Sequence, residues 1–183
     1  MRFVSFLAAA LAFSGVAHAT FQCDDKKVLK QTYVGENQDV SVEYVHCSNA
    51  IRPVHDRIAV RGLQERQTDV CGATCATNCF TPSGGGPDPN QCAVIADALL
   101  YDSQNIGALF NLDPAVNTSV ITMQYQSCKT FIVNQTNSTL QYCRTDWSSL
   151  VNWLATDCQS TQNAHGGNCV ASDQRWFVQV QHS

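Results

Sequence analysis

Ten cysteines constrain this 183-residue chain more than any other feature: Cys23, Cys47, Cys71, Cys75, Cys79, Cys92, Cys128, Cys143, Cys158 and Cys169. Three of them recur at every fourth position in "VCGATCATNC". That spacing is one helical turn and also the spacing of some cluster ligands. Taken alone it leaves a metal cradle, a redox site and a gathering of disulfides all open. The compartment in which the chain folds separates them.

The compartment is written in the first nineteen residues, "MRFVSFLAAALAFSGVAHA". One basic residue, Arg2, precedes an apolar block from Phe3 to Phe13, and Ala17-His18-Ala19 closes the segment with a small-x-small pattern. This is the arrangement of a cleavable secretory signal peptide, residues 1–19. The block, roughly eleven residues, is too short to span a bilayer at about 1.5 Å per residue, and no later segment is longer. The expectation is a secreted, extracellular chain with no membrane span, its mature form starting near Thr20. All ten cysteines lie beyond that point, and an even count in an oxidising compartment reads as five disulfide bridges, with no metal and no cofactor. Cys71, Cys75 and Cys79 are then expected to tie one short segment to three distant elements.

Charge excludes one class of partner. With Arg2 removed, the eleven basic side chains become ten against fifteen acidic ones, a net charge of about −5. Such a surface repels phosphate backbones, and no Lys/Arg cluster offsets it, so nucleic acid is not expected. Asn117, Asn134 and Asn137 each begin an N-x-Ser/Thr acceptor sequon for glycosylation, and the last two mark an exposed loop.

Along the chain, residues 20–50 read as a β-hairpin unit. "KVLKQTYV" and "DVSVEYVHC" flank the turn-like "GENQ", and Val40, Val42 and Tyr44 share one face of the second run. Cys23 and Cys47 bracket the pair, so a bridge between them would staple its open end. Residues 51–67 hold no cysteine and no clean period and read as a linker; they contain an adjacent His55-Asp56 and a "QERQ" where processing is conceivable. Residues 68–183 carry the other eight cysteines and are long enough for one domain with a modest core.

In that domain Asp88, Pro89 and Gln91 resemble a capping box, and Cys92, Ile95, Ala96, Leu99 and Leu100 form the stripe of a helix ending near Tyr101–Ser103. "SVITMQYQ", "KTFIVNQ" and "LQYC" read as strands. A second helix begins at Arg144 or Thr145, with Trp147, Leu150, Val151, Leu154 and Cys158 on a narrow arc. Gly166-Gly167 signals a loop, and "RWFVQVQHS" reads as a closing strand with one buried face. The expected fold is α+β: a small disulfide-rich single domain with two main helices and short antiparallel strand pairs, preceded by the N-terminal hairpin.

No Gly-x-Ser-x-Gly and no His-Glu-x-x-His occurs, and the histidines are scattered. Asp146, Asp157 and Asp173 are the only carboxylates to consider for a small glycoside hydrolase, and no catalytic residue is assigned. Aromatic side chains point elsewhere, because sugar rings offer apolar C–H faces that stack on Trp and Tyr. Trp147 and Trp176 fall on the core stripes. Trp153 lies about 80° or more from its helix's stripe, at roughly 100° per residue, so it is either a flank of the core or an exposed platform. Tyr142, Arg144, Asp146 and Arg175 are the polar residues to consider beside it as a glycan-binding set.

"CGATCATNCFTPSGGGPDPNQC", "QSCKTFIVNQ", "LQYCRTDW", "HGGNC" and the ending "RWFVQVQHS" together resemble the mushroom glycan-binding proteins of the Y-three-like family, over about residues 70–183. The resemblance implies a secreted α/β lectin without catalysis, whose partners are N-acetylhexosamine-containing or fucosylated glycans; a homodimer is compatible with it. The fungal killer-toxin-like and necrosis-inducing effector proteins share the theme of helix, cysteine strand and closing Gly-Gly-x-Cys. They imply instead a partner on a target cell.

Overall fold

Asp88 starts the first helix. Its backbone is extended and its carboxylate accepts the Asn90 N–H at 2.8 Å, while Pro89 takes the first helical position, where a missing N–H costs nothing. The reciprocal half of the capping box does not form. Gln91 turns away, accepting the Ser127 N–H at 2.8 Å and donating to Gln126 Oε1 at 2.7 Å. It therefore pins the helix start to a β-turn.

The computed structural model describes residues 21–51, 68–159, 161 and 163–183. The leader 1–19 lies outside them, as does all of the linker except Ile51, with His55-Asp56 and "QERQ". The elements are β1 (Lys27–Val34), β2 (Val40–His46), β3 (Thr68–Asp69), β4 (Cys75–Cys79), α1 (Pro89–Asn105), β5 (Leu109–Leu112), β6 (Val120–Tyr125), β7 (Cys128–Asn134), β8 (Leu140–Cys143), α2 (Arg144–Asp157), β9 (Gly167–Ala171) and β10 (Trp176–His182). Seven strands form one sheet in the order β1-β2-β6-β7-β10-β9-β4, antiparallel throughout, and β3-β8-β5 form a small second sheet. The chain is thus a disulfide-rich α+β protein. β1 and β2 pair with each other, and β2 also pairs with β6, so these two strands form one edge of the main sheet.

Both helices cover one face of that sheet. Ile95 and Leu99 of α1 and Trp147, Val151 and Leu154 of α2 pack on Val42, Ile121, Met123, Ile132, Val178 and Val180. Each such side chain, fully buried, contributes about 1.5–3 kcal/mol. The two helices also meet each other, where the buried Ser148 hydroxyl donates to Ala96 O at 2.9 Å. The α1 stripe departs from expectation at Leu100, which is exposed, and the helix runs on to Asn105.

The other sheet face is not bare. Phe21 lies on it with its ring 5.3 Å from Phe177 and 5.8 Å from Phe131, and Cys23, Cys47 and Ala50 complete a second apolar cluster. This corrects the single buried face expected of β10. Phe177 is buried from this side, and Gln179 is buried with its Oε1 accepting the Phe21 N–H at 3.2 Å. Period-two alternation cannot announce a strand covered on both faces by a segment from the far end of the chain.

Five bridges join Cys23–Cys47, Cys71–Cys143, Cys75–Cys169, Cys79–Cys158 and Cys92–Cys128, and no cysteine is free. Cys71, Cys75 and Cys79 go to the end of β8, to β9 and to the end of α2. The four-residue spacing belongs to a corner where bridges gather. Gly167, expected in a loop, is the first residue of β9. A Cβ there would come within 2.6 Å of Asn78 O and 2.7 Å of the Cys158 sulfur, so the glycine is what lets β9 lie against the Cys79–Cys158 bridge.

Candidate functional site

The five residues expected around a glycan go to separate places. Tyr142 is in the core. It is 1% exposed, its ring 4.8 Å from Trp176 in an edge-on contact. Burial pushes its phenol well above the usual tyrosine range, and the charge of Asp146 adds to the rise. It offers no surface to a ligand, which removes it from the set. β8 is the middle strand of the small sheet, between β3 and β5, a position that the four residues "LQYC" cannot reveal.

Asp146 lies in the first turn of α2, and its Oδ2 accepts the Gly72 N–H at 2.6 Å. It holds the Cys71 corner against the helix, where a negative charge also suits the helix N-terminus. Arg175 sits in the β9–β10 turn with its Nε 2.7 Å from Asp173 Oδ2. Desolvation works against that carboxylate's ionised form, yet the backbone and side-chain bonds from Arg175 outweigh it and hold Asp173 below the ordinary carboxylate range.

Arg144 is the first residue of α2. Its guanidinium donates to Leu109 O at 2.7 Å and to Gly107 O, and lies 5.4 Å over the Phe110 ring. It borders a groove of about 250 Å³ between α1, β5 and the β1–β2 edge, whose walls include Tyr44, Phe110 and Lys30. Lys30 lies 5.6 Å over the Tyr44 ring. The inward face of Tyr44 is legible in the alternation of β2. Phe110 is not, because β5 is four residues long and shows no period.

Trp153 is the fifth. It stands on the outer side of α2, 52% exposed, and its indole N–H donates to Thr77 Oγ1 of β4 at 3.1 Å. The ring is therefore in solvent but fixed in orientation, a platform and not a flank of the core. Ser149 and Asp157 lie one turn to either side along the same helical face. Thr77 had no signal in the sequence, since "CATNC" reads as a cysteine cluster before it reads as a strand. Trp147 and Trp176 are both buried, as their stripes require.

The sequons divide in the same way. Asn117 and Asn137 are exposed. Asn134 is buried and donates its amide protons to Leu112 O at 2.9 Å and Ser138 O at 2.8 Å, so the folded chain has no room for a glycan on it. Among the described residues, the only groups of three or more metal-ligating side chains close enough to share an ion are built on bridged cysteines, and no helix is long and apolar enough to cross a membrane.

No family model matches the chain, and neither a curated protein nor a solved structure matches it. The fold and surface define a disulfide-stapled α+β protein with a fixed aromatic plane at the edge that carries three bridges.

Proposed function

We propose that the chain is a secreted, non-catalytic glycan-binding protein, and that Trp153 is the plane on which a sugar ring stacks. The observation that carries this is the exposure of Trp153 together with its bond to Thr77. An indole held in one orientation loses little entropy when a ring docks on it, and the carboxylate of Asp157 and the hydroxyl of Ser149 offer acceptors at its margins. Export is supported by the leader pattern and the five bridges. The ligand class, N-acetylhexosamine-containing or fucosylated glycans, rests on the resemblance over residues 70–183.

The test is a glycan array followed by titration with the mature chain 20–183. The whole chain is needed because β2 pairs with β6. Trp153→Ala is expected to lower affinity at least tenfold while the melting temperature holds within about 2 °C, as for a surface change of about 0.5 kcal/mol. Equal binding by the variant overturns the site. Absence of saturable binding to any glycan, with necrosis or growth inhibition of target cells, favours the effector class instead. Polysaccharide hydrolysis lost in Asp157→Asn would move the chain among the enzymes.

A further inference from the structure

The helix-free face of the large sheet carries a cleft of about 390 Å³ beneath the segment that leads into β1. Its apolar side includes Phe21 and Phe131, and its polar side includes Thr122, Gln181, Lys26 and Lys129. Lys129 comes from the middle sheet strand β7, with Gln124 of β6 and Gln181 of β10 opposite it in register. Three neighbouring strands of the sheet therefore fix the position of its backbone.

The charge balance there is unusual for an acidic protein. The charges that act on Lys129 are Lys26 and Glu43. Glu43 is already bonded to Lys26 at 2.6 Å. Among the described residues Lys129 makes no ion pair of its own. Two ammonium groups share one carboxylate, on a chain whose formal net charge is −4. Lys129 is half-buried, so its ammonium has lost part of its water; this burial pushes its pKa down, repulsion by Lys26 adds to the fall, and Glu43 offsets only part. A cation held in this way is stabilised by an incoming anion more than a fully solvated lysine is.

We propose that this cleft binds an oxyanion carried on a small organic body, the carboxylate or sulfate ester of an acidic sugar, with Lys129 and Lys26 holding the oxyanion and Phe21 and Phe131 beneath the body. The site lies on the sheet face opposite the helices, whereas Trp153 stands on α2, so it is independent of the glycan reading. The bland alternative is a lysine that merely lays its stem along apolar surface and keeps its head in water.

Calorimetric titration of the mature chain separates the two. The probes are glucuronate, glucose 6-sulfate, inorganic sulfate and uncharged glucose. Glucuronate and glucose 6-sulfate are expected to bind saturably, glucose not at all, and inorganic sulfate at least tenfold more weakly than glucose 6-sulfate. Lys129→Met keeps the stem and removes the charge; it is expected to lower affinity at least tenfold with the fold intact, and Lys129→Arg to restore most of it. A second readout needs no variant: by linkage, bound glucuronate raises the pKa of Lys129, measured by the pH titration of its side-chain carbon resonance. Equal heats for glucuronate and glucose, unchanged affinity in Lys129→Met, or a Lys129 titration indifferent to glucuronate would each overturn the site. Sulfate ion binding as tightly as glucose 6-sulfate would overturn the reading of the organic body.

Discussion

The two edges of the seven-stranded sheet are held in opposite ways. β4 is five residues long, and its sequence "CATNC" has little intrinsic strand preference. Within nine residues around it, Cys71, Cys75 and Cys79 are each bridged to a different element. β1 is eight residues long and rich in residues that favour strands, yet Val28, Leu29 and Tyr33 are all exposed. No bridge lies within it, and Cys23–Cys47 closes the pair only beyond its ends. Where propensity is weak the chain is joined covalently, and where propensity is strong the edge is left to its own ladder. The fixed aromatic plane, Trp153, is anchored to the bridged edge, and the Arg144 groove opens beside the free one.

The sharpest way to break that comparison is to remove one bridge from each side. In the chain-entropy picture, opening the 24-residue Cys23–Cys47 loop costs about 3.4 kcal/mol. The cysteines of Cys79–Cys158 are 79 residues apart, but with Cys75–Cys169 still closed in the unfolded chain they close a loop of only about 15 residues, worth about 3 kcal/mol. Loop entropy is thus nearly equal for the two, so urea unfolding of the double variants Cys79→Ser/Cys158→Ser and Cys23→Ser/Cys47→Ser compares the native edges themselves. The first should be the less stable, because β4 has little strand preference of its own. Hydrogen exchange should show the first variant freeing β4 and leaving β1 unchanged. If the Cys23–Cys47 variant is the less stable of the two, the bridged edge is not what the protein depends on.

A smaller perturbation sharpens the same point without touching sulfur. Gly167→Ala places a methyl against Asn78 O and the Cys158 sulfur, and overpacking of this kind costs about 1–3 kcal/mol. Tyr33→Ala on the free edge should change stability by about 0.5 kcal/mol or less. Similar losses from both would mean that β4 can shift to accommodate the methyl, and that its bridges hold it less tightly than their positions imply.

How much of this was legible in the sequence follows from the same contrast. Helix α2 declares itself through Trp147, Val151 and Leu154, and α1 through Asp88, Pro89 and Ile95, because amphipathic periods and caps are local. β6 and β7 are local in the same sense. β4 and β9 escape, since Ala76, Thr77, Asn168 and Gly167 carry no strand signature and their pairing is imposed from outside by Cys75–Cys169 and Cys79–Cys158. Ser148 and Ala155 are buried although the α2 stripe did not include them, and Ser148 meets α1 at Ala96, because small residues are not singled out by a hydrophobic pattern. In the candidate site the exposure of Trp153 was one of two readings of its helical angle. Thr77 beneath it, and Lys129 on the far face, became visible only once strands distant in sequence were side by side.

The smallest of these effects tests whether the interior joined to the bridged edge is as closed as it looks. Tyr142 precedes Cys143, the partner of Cys71, and its phenol is raised by burial first and by Asp146 second. In the unfolded chain that phenol ionises near pH 10; in the fold it keeps its proton. Above about pH 10 the unfolded state therefore binds fewer protons than the native state, and stability falls as pH rises, by at most about 1.4 kcal/mol per pH unit for this group. Below that pH its contribution is constant. Urea unfolding at pH 9 and pH 11, with the bridges verified intact, should show the wild type losing about 1 kcal/mol more than Tyr142→Phe over that interval. Parallel losses would mean that Tyr142 ionises inside the native protein. Water would then reach β8, and the Cys71–Cys143 bridge would brace an open seam where the packing of Tyr142 on Trp176 implies a dry one.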